Sequence, residues 1–331
     1  MCQMAASTSD TSWLQNSTLL IHMLKNWTGF EDLEEYVSYM LNPLWILVLP
    51  MLLYHIYCLI FLVNCFTTFV LYVYKKKHNI SGGIYDPLWQ KPKQWIGYFV
   101  DTLGKIWHGY EVIGMENLPK GPGIIVYYHG AFVLDYIFLV ARLYVQKGRF
   151  LRSVVHHGMY LPVFTGVKLI LDVVGCTLGT KANCVEMLKK GYLLGIAPGG
   201  LREGNFSDEY YNLVWGSGTG FSQVALDAKV PIIPMFTQNL REAYRTVGKT
   251  WLLKCLYERI KFLVLPLYGG FPVKLRTYIG EPIPYDPNLS AKELAEKAKI
   301  AIESLRDKYQ KRPGNILRAL SERFDKHHKN N

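Results

Sequence analysis

The chain has 331 residues, half of them apolar, with 37 lysines and arginines against 26 aspartates and glutamates, a formal net charge of +11. This composition supplies ample apolar material for a core. A basic excess can indicate nucleic-acid binding, but the basic residues are scattered and no nucleic-acid motif is present, so we expect no nucleic-acid partner. A surface that lies on anionic lipid headgroups explains the excess better.

The first 43 residues are interpreted as an N-terminal tail or interfacial segment. Met1–Asp10 lacks the basic start and apolar core of a cleaved signal peptide. Leu19–Met40 alternates apolar and polar residues, which is compatible with a short interfacial helix. A loosely ordered tail is the alternative.

Residues 44–74 form the clearest composition shift and predict a transmembrane region. A single span needs about 20 residues, so this tract is too long for one upright helix and too short for two full ones. Pro50, His55 and Asn64 interrupt it. Two geometries follow, one long tilted span or a kinked hairpin whose ends return to the same side. A buried helix of a soluble domain is the weaker reading, because uncharged apolar runs of this length are rare there.

Three lysines, Lys75–Lys77, place the downstream end of the tract in the cytosol by the positive-inside rule. The glycosylation sequons at Asn16 and Asn26 distinguish the two geometries, since a single span predicts glycan on them and a hairpin predicts none. Residues 75–106 are predicted to link the membrane region to a domain over residues 107–331, where strand and helix signals repeat as in one α/β unit. In this linker region and just beyond it, three tryptophans fit either an interfacial belt or core packing: Trp89, Trp95 and Trp107.

Gly123–Asp135 is the first stretch with a chemical signature. Ile124–Tyr128 is β-branched or aromatic and follows Gly-Pro-Gly, which predicts a short buried strand. His129 would then lie at the carboxyl end of that strand, where ligands bind in open α/β sheets. Asp135 falls near the start of a helix-compatible run, where the dipole favours a carboxylate. A neutral histidine that takes a proton from a substrate hydroxyl, with an aspartate that orients its ring, is a general base.

Other histidines compete for this role. A strand over Phe150–His156 would end at His156 and His157, which we rank lower because no carboxylate follows at short range; Asp172 is a distant possibility. An ordinary structural histidine at position 129 is the other alternative. The cysteines lie without metal-ligand spacing, so we predict no metal and no disulfide.

A second glycine-rich turn follows the apolar residues from Leu193 onward and contains Gly199, Gly200, Arg202 and Glu203. Glycines let the backbone approach a ligand, and a guanidinium can bind a phosphate through two hydrogen bonds. These four residues are predicted to bind substrate.

Further along the chain, a helix over residues 220–228 precedes a strand over 229–236. Arg241 and Arg245 then lie on a helix-like segment, as headgroup or phosphate contacts or simply as solvated residues. Another strand is predicted over residues 274–280. Ser290 and Glu293 have capping-box spacing at the start of a helix that covers the sheet.

These blocks, in this order, resemble the glycerolipid acyltransferase family, whose members have a His-then-Asp motif, a Gly-Glu-Arg block and a Val-Pro-Ile-Val-Pro strand. The resemblance covers roughly residues 107–286. It implies an α/β fold with a mixed sheet flanked by helices, here preceded by the membrane-spanning or hairpin region. Two departures matter. The family has four residues between histidine and aspartate, whereas five, residues 130–134, intervene here, so the geometry of the pair is open. The second block reads Gly-Gly-x-x-Glu, as in the neutral-lipid branch.

The resemblance implies an O-acyltransferase that moves a fatty acyl group onto mono- or diacylglycerol to form triacylglycerol. Its catalytic residues would be His129 and Asp135, and it would bind no cofactor; acyl-CoA is the implied donor, with a membrane phospholipid as the other source. We expect the protein to lie in the endoplasmic reticulum membrane, with the acyltransferase domain facing the cytosol. A lysophospholipid or glycerol-phosphate acyltransferase is the alternative, and a non-catalytic protein that binds lipid or a partner is the second alternative.

Overall fold

The computed structural model describes Met23 and residues 61–81, 86–155, 160, 165–246, 251–260 and 267–324. Residues 61–77 are helical. No helix within these ranges combines the length and apolar character that a membrane crossing requires. Most of the predicted transmembrane tract, residues 44–60, lies outside the described residues, and so do both sequons and His156 and His157.

Within the described ranges, seven strands form one mixed sheet in the order β1-β9-β6-β2-β5-β3-β4. A separate pair, β7 and β8, is antiparallel. The strands are β1 Glu111–Ile113, β2 Gly123–Tyr127, β3 Leu151–Val155, β4 Cys176–Leu178, β5 Leu193–Ile196, β6 Ile232–Gln238, β7 Tyr244–Thr246, β8 Leu267–Gly269 and β9 Arg276–Ile279.

The α-helices of the described residues beyond position 86 are α1 Gln90–His108, α2 Leu134–Lys147, α3 Thr165–Val173, α4 Lys181–Lys189, α5 Gly200–Phe206, α6 Gly220–Ala228, α7 Leu240–Ala243, α8 Trp251–Ile260, α9 Ala291–Tyr309 and α10 Ile316–Ser321. The mixed α/β fold with a sheet flanked by helices is therefore as predicted. The predicted capping box is present, because the Ser290 and Glu293 side chains bond each other's backbone amides at the start of α9.

The direction of the strands places the site. Strands β6, β2, β5, β3 and β4 are parallel, so their carboxyl ends lie at one edge of the sheet. Strand β9 is antiparallel to β6, and β1 is parallel to β9. Strands β1 and β9 therefore begin at the edge where the others end. Residues that precede β1 and β9 can meet residues that follow β2, β5 and β6.

Both faces of the sheet are covered, which explains why its central strand is apolar throughout. All five residues of β2 are buried. Ile124 and Val126 pack in a cluster with residues of α6 and α9. Ile125 and Tyr127 pack on the other face, in a cluster with residues of α2.

Helix α1 begins within the predicted linker, residues 75–106, ends two residues beyond it, and packs against α2. Its Asp101 forms an ion pair with the buried Arg142 of α2. Of the three tryptophans with two readings, Trp89 is in the core at 2% exposure, whereas Trp95 and Trp107 are 59% and 47% exposed. Part of the linker region is therefore an ordered helix of the fold.

The contacts divide the chain into two compact units. One comprises Met1–Leu62 and Val247–Pro266, where the structure describes Met23, two residues at the start of the helical segment and α8. The other comprises Val63–Thr246 and Leu267–Asn331, with the sheet and the remaining helices. The candidate site lies within this second unit.

Candidate functional site

His129 follows β2 at the carboxyl edge of the sheet, as predicted. Its ring is partly buried, and its Nδ1 atom lies 2.7 Å from the carbonyl oxygen of Gly130. A carbonyl oxygen only accepts hydrogen bonds, so Nδ1 holds the proton of the neutral ring and Nε2 is the nitrogen that can take another. Burial lowers the pKa of His129, although the bond to Gly130 opposes this shift. The imidazole is therefore neutral at neutral pH, the form a general base needs.

Glu203 lies directly against this turn, on α5. Its carboxyl group is fully buried. One oxygen accepts the backbone N–H of His129 at 2.8 Å, and the other accepts the backbone N–H of Val214 at 2.9 Å. Burial raises the pKa of Glu203 to about 8, against the opposing effect of these bonds. The side chain thus joins two segments that are far apart in sequence.

Two glycines make this packing possible. A Cβ atom at Gly204 would lie 2.8 Å from His129 Nδ1 and 2.9 Å from the Gly130 carbonyl oxygen. A Cβ atom at Gly199 would lie 2.7 Å from a carboxylate oxygen of Glu203. Real Cβ atoms do not approach that closely, so α5 can rest against the histidine only because Gly204 lacks a side chain, and the Glu203 side chain keeps its position only because Gly199 lacks one. Gly200 has a φ of +47°, a left-handed conformation that also favours glycine.

Asp135 is the second residue of α2 and is almost fully buried. Burial raises the pKa of its carboxyl to about 6, while a hydrogen bond from the Thr237 hydroxyl opposes this shift. The Thr237 hydroxyl is also 2.8 Å from that of Thr277, which is 2.9 Å from the Tyr110 hydroxyl. Tyr110 in turn donates to the backbone carbonyl of Asp135 at 3.1 Å. A row of buried hydroxyls therefore holds the aspartate.

The described contacts include no hydrogen bond between the His129 ring and the Asp135 carboxyl. Instead, Nδ1 lies against the Gly130 carbonyl, which thus orients the ring, as the sequence predicted for Asp135. Asp135 Oδ1 has no hydrogen-bond partner among the described residues. His129 and Asp135 both lie at the carboxyl edge of the sheet, and the backbone of the glycine turn orients the His129 ring.

Arg202 projects from α5 and is exposed. No ion pair or side-chain hydrogen bond joins it to any residue that the structure describes. Arg241, in α7 after β6, is more enclosed, with a side chain 11% exposed and a distance of 3.9 Å to the Glu209 carboxylate. An exposed guanidinium without a carboxylate partner is chemically suited to an anionic group.

The roles predicted for His129, Asp135, Gly199, Gly200, Arg202 and Glu203 stay predictions. Three groups at the site were not singled out from the sequence: the Gly130 carbonyl, Gly204 and Thr237. Gly204 had a usable signal, since it ends the same glycine-rich block. Asp172, the distant partner considered for other histidines, lies in α3. Among the described residues, no group of three or more histidines, cysteines, aspartates or glutamates could hold a metal ion.

Comparison with known proteins identifies the family. The model of the Acyltransferase family matches residues 109–238, which include β2, β5, β6 and all the predicted site residues. The curated mouse protein named "DGAT1/2-independent enzyme synthesizing storage lipids" is 46% identical over 94% of this chain and 94% of its own length. The human protein of the same name is 47% identical over 92% of this chain and 94% of its own length. The chain belongs to the acyltransferase family.

Membership of this acyltransferase family implies lipid substrates and an acyl donor, and the chain is an acyltransferase of the glycerolipid type. Among solved structures, it is similar to the 1-acyl-sn-glycerophosphate (LPA) acyltransferase PlsC from Thermotoga maritima, at 16% identity and a TM-score of 0.44. That match covers 75% of this chain and 97% of the other.

Proposed function

We propose that this acyltransferase moves a fatty acyl group from acyl-CoA onto the free hydroxyl of mono- or diacylglycerol and so forms triacylglycerol. The observation that supports this best is the state of His129, a neutral imidazole whose Nδ1 is held by a backbone carbonyl and whose Nε2 is the basic nitrogen. The names of the mouse and human relatives, which refer to storage lipids, support the neutral acceptor.

The proposed reaction is one direct transfer. His129 Nε2 removes the proton of the acceptor hydroxyl as its oxygen attacks the thioester carbonyl. The tetrahedral intermediate collapses, the carbon–sulfur bond breaks, and the leaving thiolate takes the proton from the imidazolium. In its ionised form Asp135 stabilises that imidazolium from the buried side of the site. No covalent acyl-enzyme is needed, because both substrates are held together.

Arg202 is proposed to bind the donor. Acyl-CoA has phosphate groups, whereas mono- and diacylglycerol have none. An exposed guanidinium that no described carboxylate neutralises therefore fits the donor better than the acceptor. A membrane phospholipid, the other donor considered, also has a phosphate, and a donor comparison separates the two.

The proposed place of action is the endoplasmic reticulum membrane, with the domain on the cytosolic side. Both substrates have apolar chains, and helix α1 offers a matching surface. Its Trp95, Phe99, Leu103 and Ile106 fall on one helical stripe and are 44–69% exposed. An amphipathic helix with large aromatic residues on its apolar side suits the interface of a bilayer.

A lysophospholipid or glycerol-phosphate acyltransferase is the second candidate. It requires a further cation for the acceptor phosphate, and Arg241 is a specific candidate because its nearest described carboxylate, Glu209, is as far as 3.9 Å. A non-catalytic lipid-binding protein is the third reading, and it predicts that His129 is dispensable.

The test uses membranes from cells that lack other diacylglycerol acyltransferases. The full chain, His129→Ala and the control His78→Ala are each expressed, since His78 is an exposed histidine outside the site. Labelled diacylglycerol, monoacylglycerol, lysophosphatidate and glycerol phosphate are supplied in turn, with acyl-CoA or phospholipid as donor. We expect triacylglycerol from the wild type and His78→Ala but not from His129→Ala at equal protein level.

Equal product from all three proteins would remove His129 as the base. A rate that is highest with lysophosphatidate would favour the second candidate. No product with any acceptor, from a protein that is folded and in the membrane, would favour the third.

A further inference from the structure

The carboxyl group of Glu203 is placed differently from a side chain that binds substrate. It is 0% exposed, whereas its neighbour Arg202 is exposed. Both of its oxygens already accept backbone N–H groups, from His129 and Val214. A substrate would have to displace one of these bonds to reach it.

The geometry of the sheet explains why His129 needs such a partner. Strand β2 pairs with β5 as far as Val126 and Ile196, and with β6 as far as Tyr127 and Met235. After Ile196 the chain turns into the glycine-rich block, so the neighbouring strand no longer offers a carbonyl to the amide of His129. A buried amide without an acceptor is costly, and Glu203 supplies the acceptor.

The second bond ties the same carboxyl to another segment. Val214 lies in residues 207–219, between α5 and α6, and its amide completes the pairing of Glu203. Gly199 leaves the space for this arrangement, because a Cβ there would press on the carboxylate. The carboxyl group therefore bridges the start of the catalytic turn and the segment after α5.

We propose that Glu203 is a positioning residue, whose carboxyl fixes the main chain of His129 relative to residues 207–219 and so sets where the imidazole meets the substrates. Glu203 does not touch substrate in this scheme. The proposal rests on the proposed role of His129 as the base. It also gives Gly199 a role, as the position that admits the bridging carboxyl.

Glu203→Gln tests the bridge with little change of volume. A glutamine oxygen accepts one N–H, but its NH₂ group is a donor and faces the other amide, so one arm of the bridge is lost. Because a displacement of about 1 Å can cost a factor of about 100 in rate, we expect kcat to fall roughly 10- to 100-fold. The KM values for donor and acceptor should stay within about twofold of wild type.

Two further variants separate positioning from substrate binding. Gly199→Ala places a Cβ whose nearest neighbours are atoms of the Glu203 side chain, so it should also lower kcat and spare KM. Arg202→Ala, on the same helix, should instead raise KM for acyl-CoA. An unchanged kcat in Glu203→Gln would overturn the proposal, whether or not KM is raised.

A readout that does not depend on activity covers the remaining cases. The rate at which diethyl pyrocarbonate modifies His129 is followed by peptide mass spectrometry in the full-length wild type and in Glu203→Gln. A displaced ring should change this rate several-fold, while the rate at the exposed His78 stays constant. If His129→Ala is active, the proposed base is wrong, yet a changed modification rate still supports the positioning role. An unchanged rate at His129 overturns it.

Discussion

Replacing Gly204 with alanine is the sharpest test of how the base is held. Gly204 lies inside α5, and in an exposed helix a glycine-to-alanine change stabilises by roughly 0.5–1 kcal/mol. Here the new Cβ would lie 2.8 Å from His129 Nδ1 and 2.9 Å from the Gly130 carbonyl oxygen, with Cε1 of the ring at 3.2 Å. The ring must move, and its hydrogen bond to Gly130 is the contact that breaks.

The expected loss follows from what that bond does. Without it the neutral ring no longer holds its proton on Nδ1, so Nε2 is presented as the base only part of the time and in the wrong direction. General-base catalysis contributes a factor of about 10² to 10⁴, and most of it should be lost. The higher helix propensity of alanine stabilises α5, whereas the displacement of the His129 ring destabilises it. We therefore expect the free energy of unfolding to change by about 1 kcal/mol or less.

Steady-state transfer of labelled acyl groups to diacylglycerol measures the rate, and thermal unfolding in detergent measures stability. Gly220→Ala is the matched control, because Gly220 is also helical and nothing lies within 4 Å of its added Cβ. If Gly204→Ala retained kcat within about threefold of wild type, the orientation of the ring by Gly130 would not matter for catalysis, and the reasoning would fail.

Three other changes probe separate parts of the site. Arg202→Ala should raise KM for acyl-CoA about tenfold or more, through loss of a charge-assisted contact, and leave the acceptor KM unchanged. An equal rise in KM for a donor that lacks phosphate would contradict the assignment. Thr237→Val removes a hydrogen bond that lowers the pKa of Asp135, so that pKa should rise above about 6 and the acidic limb of kcat against pH should move to higher pH. Thr237→Ser should restore the profile, and a limb that does not move would mean that ionisation of Asp135 does not limit the rate. Gly195→Ala places a Cβ where the Tyr136 ring crosses β5, and the overpacking should destabilise the domain by about 3 kcal/mol, measured by thermal unfolding; an unchanged unfolding temperature would show that the ring has another place to go.

The secondary structure of the domain was largely predictable, because buried parallel strands leave a local signal. The run before His129 is apolar and bounded by glycine turns, and it is a strand. The helix expected over residues 220–228 has the bounds of α6. The direction of β9 was not predictable, since a short apolar strand looks the same whether its neighbours run parallel or antiparallel to it.

The candidate site was predictable in its residue types but not in its contacts. His129 and Glu203 are 74 positions apart, and only the order of the strands brings them together. The partner of Nδ1 could not be found from sequence, because every residue has a backbone carbonyl and none of them signals which one a ring will face. Asp135 was the side chain best suited to that role on chemical grounds. The extra residue between His129 and Asp135 was the one feature of the sequence that indicated a geometry different from that of the family.

The antiparallel strand β9 also determines how the catalytic part of this chain can be isolated. The family match stops at residue 238, the last residue of β6. A fragment cut there would keep His129 and Glu203 but lose β9, which pairs with β6 from Met235 to Gln238. Every residue of β6 is buried, so the cut would create an unpaired apolar edge strand, a template for aggregation. A fragment that keeps this edge paired must extend at least through Ile279.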